Sequence, residues 1–175
     1  DRVEDARDSQ TDAQKQFASA LAEFTSLINF DGGDLESVYD GLNSQYLESE
    51  AAAKAVSKRI DKVESVAEAL FSEWEQELNL YTNAKLKRDS QSKLRETQTQ
   101  YKSMLRAMRK VESSMPPVLS ALQNNVLYLK HNLNASAIGA LQGEFSVIKS
   151  DVNNLIKEMN AAIEQSDSFI AAMKG

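Results

Sequence analysis

At 175 residues the chain has the length of one domain, residues 1–175, and a compact domain of this size buries about 70% of the surface its unfolded chain exposes. Six glycines and two prolines leave long stretches between turns, and the absence of cysteine excludes disulfides, thiolate nucleophiles and cysteine-based metal sites. No window approaches ~18 uncharged apolar residues, so no helix spans a bilayer.

Helix formers dominate, which predicts an all-α protein. The first residue, Asp1, already lies within a helical heptad, which suggests a trimmed or processed precursor whose targeting signal lay upstream. Val3, Ala6, Gln10, Ala13, Phe17, Ala20, Phe24 and Leu27 recur at three-four spacing, predicting a first helix over about 2–29. Asp31-Gly32-Gly33-Asp34 then supplies permissive glycines for a reversal and an aspartate suited to cap the next helix.

The second helix is predicted from Leu35 to about Tyr81, with Leu42, Val56, Ile60, Val63, Ala67, Leu70 and Trp74 inward and a core thinned at Ala51 to Ala53. Thr82-Asn83 and the polar run Lys85 to Ser92 read as the following turn. A third helix carries the longest regular seam, Leu94, Gln98, Tyr101, Leu105, Met108, Glu112, Met115, Leu119, Leu122, Val126, Leu129 and Leu133. Its register runs through Pro116-Pro117, where a kink or a one-turn interruption is expected. After His131-Asn132-Leu133-Asn134, a fourth helix follows through Ile138, Leu141, Phe145, Ile148, Val152, Leu155, Met159, Ala162, Ser166, Phe169 and Met173.

Long helices joined by short turns alternate direction, so the predicted architecture is an elongated up-down-up-down four-helix bundle with coiled-coil-like packing. A monomer is the expectation, with pairing between chains open to helices of this kind.

Little in the sequence points to catalysis. The single histidine, His131, falls at the end of the third helix, where a cation suits the helix dipole. No Glu-x-x-His pair exists to build a di-iron site, and neither a phosphate-binding Gly-x-x-x-x-Gly-Lys-Ser/Thr loop nor a Gly-x-Ser-x-Gly elbow occurs. The expectation is therefore no enzyme, no cofactor, no metal and no small-molecule substrate. Glu112 on the seam is read as a carboxylate paired with a neighbouring base, and Gly139 and Gly143 as a close-packing face of helix four.

Charge is uneven. Residues 1–84 carry 18 acids and seven bases, whereas residues 85–110 carry nine bases and two acids, so a basic half-helix lies within a chain of net charge −6. Lys93, Arg95, Lys102, Arg106, Arg109 and Lys110 form the candidate contact surface, either for anionic groups outside the molecule or for the acids of helix two and the start of helix one. Tyr101 is the only aromatic among those bases, which weighs against nucleic acid.

The segments DRVEDARDSQ (1–10), INFDGGDL (28–35), SKRIDKVE (57–64) and VLYLKHNLNASAIGALQGE (126–144) resemble an uncharacterised gammaproteobacterial family, a domain of unknown function, along the whole chain. The resemblance implies a lipoprotein-like protein tethered to the bacterial cell envelope, on the periplasmic side, through a lipidated cysteine upstream of Asp1. Its partner would then be an envelope protein or an anionic membrane surface. Some members of that family carry the label DNA repair ATPase, which implies the rival reading, a cytosolic accessory of nucleic-acid metabolism. The family has no established catalytic residues to carry over.

Overall fold

Each reversal of the chain is set by a side chain that satisfies the first free amides of a helix. The computed structural model describes residues 1–30 and 32–174, and α1 (Arg2–Ile28), α2 (Leu35–Glu77), α3 (Ala84–His131) and α4 (Ala135–Lys174) are its four α-helices. Asp1 accepts from the Val3 amide at 3.0 Å, Asp34 from Glu36 at 3.1 Å, Asn83 from Lys85 at 3.0 Å and Leu86 at 3.1 Å, and Asn134 from Ala137 at 3.1 Å. Such caps are worth about 1 kcal/mol each. Gly32 and Gly33 hold φ of 128° and 124°, a region that side chains with Cβ avoid, while Asp31 lies outside the described residues.

The four helices form a closed ring. α1 packs beside α2 and α4, α3 packs beside the same two, and the backbones of the diagonal pairs do not approach one another among the described residues. This is the expected up-down-up-down bundle, and α3, at 48 residues, makes it about 70 Å long. The ring also corrects one expectation. The acids that open α1 form no ion pair with the basic part of α3 among the described residues; instead Asp5 pairs with Arg59 of α2 at 3.7 Å and Glu4 with Lys174 of α4 at 3.3 Å.

Because α3 touches two neighbours, its buried stripe is wider than one seam. Leu94, Tyr101, Met108, Met115, Leu122 and Leu129 are buried as predicted, but the positions between them are Met104, Val111 and Val118, with Asn125 beside Val126. The predicted alternates Gln98, Leu105, Glu112 and Leu119 are only half-buried, and Leu133 is exposed. α3 also begins earlier than expected: the run Lys85 to Ser92 is helical because Asn83 caps it. Past the prolines the helix is unbroken. Pro116 and Pro117 face solvent, so their rings avoid the core and water can reach the carbonyls that lose an amide partner.

Two polar features of the bundle differ in cost. Asn125, Ser49 and Ser166 are buried yet donate to carbonyls of their own helices, at Ala121, Gln45 and Ala162. Gln10 is fully buried between Ala6 and Ala13 on α1, and neither its amide oxygen nor its nitrogen has a partner among the described residues. An orphaned polar pair of this kind costs on the order of 1–3 kcal/mol. Gln10→Met keeps the volume and removes the penalty, so we expect it to raise the urea midpoint with unchanged m-value; a lower midpoint would show that the amide is satisfied in solution.

The small-residue face of α4 does not pack as expected. Gly139 and Gly143 are exposed, and a Cβ built on either meets nothing within 4 Å. Their role here is not close approach, and each exposes helix backbone at a conformational cost. Gly139→Ala and Gly143→Ala should each stabilise the fold by about 0.5–1 kcal/mol. Thermal melts of the two variants check this, and a loss of stability would mean that the face is covered in solution.

Candidate functional site

The two longest features of α3 lie on opposite faces. Its inward face carries an aromatic cluster at the root of the α2–α3 hairpin, where Tyr101 packs edge-on against Phe71 at 5.4 Å and tilted against Phe169 of α4 at 6.4 Å. Beside this cluster a cleft of about 490 Å³ opens between the start of α1, the end of α4 and the hairpin, lined by Val3, Val66, Leu70, Trp74, Ile170 and Met173. Beyond the cleft the hairpin continues as two helices alone, since the 3-10 turn Leu78–Leu80 touches only α2 and α3. Trp74 donates to the Ser90 hydroxyl at 2.8 Å and ties the two arms together.

The outward face of α3 is basic. Arg88, Arg95, Lys102 and Arg106 follow one another at spacings of seven, seven and four, so they share one stripe about 27 Å long. All four are exposed, and none has a carboxylate within 4.0 Å among the described residues. Lys110 flanks this stripe and is exposed, whereas Lys93 points round the helix towards the side that lower down carries Met104 and Val111. It pairs with Asp89 at 3.2 Å.

Arg109 belongs to the fold more than to the surface. Its guanidinium donates to Asp61 at 3.0 Å, Glu112 at 2.9 Å and Glu64 at 3.3 Å, bridging α3 to α2. Burial works against its charge, but the hydrogen bonds to Asp61 and Glu112 outweigh that and hold its pKa above the usual value. The same contact accounts for Glu112 on a seam: it sits off the centre of the buried stripe, paired with a base as the sequence suggested. Of the six predicted contact residues, the structure therefore puts Arg95, Lys102 and Arg106 together, adds Arg88, leaves Lys110 beside them and Lys93 apart, and commits Arg109 internally.

A family model described as Protein of unknown function (DUF2959) matches residues 1–173. The chain belongs to that family. No curated protein and no solved structure matches it. The DUF2959 fold thus supplies no residue roles, and the chemistry of this chain has to be read from its own side chains. Among the described residues no three His, Cys, Asp or Glu side chains gather as a metal cage. His131 is exposed in the last turn of α3, where its position suits the helix dipole.

In this DUF2959 chain Tyr101 also lines the cleft, buried to 7% exposure, and its hydroxyl has no hydrogen-bond partner among the described residues. The sequence marked Tyr101 as a seam residue and as the only aromatic among the bases; nothing in its spacing announced an orphaned hydroxyl, which depends on where the other helices lie. Burial raises its pKa above the ordinary phenol value, Glu64 and Glu68 raise it further, and Arg109 opposes them. The unfolded phenol ionises first, at about pH 10. Stability is therefore complete below that pH and falls as pH rises towards the folded value. Tyr101→Phe should remove this part of the alkaline loss, leaving the part from Tyr46, whose pKa is raised by burial and by Glu50. Urea titrations at neutral pH and above pH 10 compare the two proteins; an unchanged alkaline slope would mean that Tyr101 ionises freely in the fold.

Proposed function

We propose that the chain is a non-enzymatic scaffold, a partner-binding helical rod tethered to the bacterial envelope, and that its contact surface is the outer face of α3. The observation that carries this reading is the unpaired stripe Arg88, Arg95, Lys102 and Arg106 on a protein of net charge −6. Four exposed cations that find no partner in a chain rich in acids stand ready for a carboxylate-rich surface on another protein. Arg109 shows the contrast, since the same helix does place a base among acids where the fold uses it. The envelope location rests on the sequence resemblance.

The stripe is straight, and it lies opposite the core, so a partner can lie along the rod without disturbing the packing. Reversing three of its charges, Arg95→Glu, Lys102→Glu and Arg106→Glu, changes no buried contact. Cross-linking of the native protein in cells should then lose its main protein adduct by about tenfold or more, as desolvated charge pairs at interfaces are worth several kcal/mol. Circular dichroism should be unchanged. Adducts of undiminished intensity would remove the stripe as the contact surface, and recovery of the protein in the soluble cytosolic fraction would remove the envelope assignment.

A further inference from the structure

The far end of the hairpin carries a second unpartnered surface, chemically unlike the stripe. α2 closes through the 3-10 turn Leu78–Leu80, Tyr81 is extended, and Asn83 caps α3 through the Lys85 and Leu86 amides. Leu78 is buried and anchors the turn, while Leu80 is 78% exposed, Leu86 54% and Tyr81 42%. Leu80 is thus the most exposed of the large apolar side chains, held out by a turn whose backbone is fixed on both sides.

Charge says what such a tip meets. From Leu78 to Arg88 the chain has three bases, Lys85, Lys87 and Arg88, with Glu77 just before this stretch on the α2 side and Asp89 just after it. A convex apolar end with long cationic side chains along its α3 side does not fill a groove. It suits the boundary of an anionic bilayer, where leucines reach the acyl region, a tyrosine ring rests among headgroups and Lys and Arg extend back to phosphates. Among the described residues no helix is long and apolar enough to cross a membrane, so the tip's contact would be peripheral.

We propose that the α2–α3 tip is a lipid-contacting foot, seating one end of the bundle on an anionic membrane surface through Leu80, Tyr81 and Leu86 and binding headgroup phosphates through Lys85, Lys87 and Arg88. The rod then projects from the membrane and presents its basic stripe along the side. This goes beyond the lateral protein contact, shares only Arg88 with it, and does not depend on it.

The test is co-sedimentation with vesicles of phosphatidylglycerol and phosphatidylethanolamine, against vesicles of phosphatidylcholine alone. Binding to the anionic vesicles only, weakened by added salt, is expected. Leu80→Ser with Leu86→Ser should weaken it about tenfold or more, and Lys85→Ser, Lys87→Ser and Arg88→Ser about fivefold for each base. Leu80, Lys85, Leu86 and Arg88 are exposed and Lys87 is half-buried, and circular dichroism checks that the bundle is intact. Lys102→Ser with Arg106→Ser alters charges about 25 Å or more along the helix from Lys85 and should change binding less than twofold. Absence of binding, equal binding to both vesicle types, or loss of binding in the Lys102/Arg106 variant with retention in the tip variants would each overturn the proposal.

Discussion

Everything in this molecule hangs on one helix that does not break. α3 runs for 48 residues through Pro116 and Pro117, and it can do so because both prolines fall on its solvent face while Met115 and Val118 on either side stay buried. Had the pair fallen one position earlier, the ring of the first would have taken the place of the buried Met115 side chain. The uninterrupted stripe then gives α2 and α4 a common surface, and α1 closes the ring beside both, diagonally opposite α3.

The same helix separates structural from available charge. Where α3 faces α2, a base is drawn into contact with acids, as Arg109 is with Asp61 and Glu64, and it ceases to be surface. Where α3 faces outward, Arg95, Lys102 and Arg106 keep their charge free. Interior polar groups follow a related logic of reach. Short ones such as Ser49 and Ser166 bend back to a carbonyl one turn away, whereas Gln10 and the Tyr101 hydroxyl extend past their own helix and find nothing. The bundle therefore tolerates small polar residues at little cost and pays for the long ones.

Periodicity made much of this fold legible in the sequence, since Ala6, Phe17 and Phe24 on α1 and Ile148, Leu155 and Met159 on α4 repeat at the spacing that buries them. Asp34 announced its helix for the same reason that it caps it, a short acceptor before an apolar repeat. The start of α3 was misplaced because Lys85 to Ser92 is polar, yet Asn83 was the available signal: polar residues belong on a two-helix arm with little core to face. The seam of α3 was read one stripe too narrow at Met104, Val111 and Val118, because a three-four pattern does not say how many neighbours a helix has. Gly139 and Gly143 suggested close packing by spacing alone, and spacing does not show which way a face points. Of the candidate surface, the free bases were visible as a charge run, but their division into a stripe, a structural arginine and a tip required the neighbouring helices.

In the proposed function the two faces of α3 have different roles: the inner face builds the rod, and the outer face and tip meet the surroundings. That division holds only if α3 is a single straight element. Its most direct test is a spin-label distance in the otherwise cysteine-free chain, between labels at the exposed positions Lys93 and Lys130. A continuous helix places them about 55 Å apart with a narrow distribution. A broad distribution, or a distance below about 45 Å, would mean that the chain breaks at the proline pair, and a single continuous seam could not then organise the bundle.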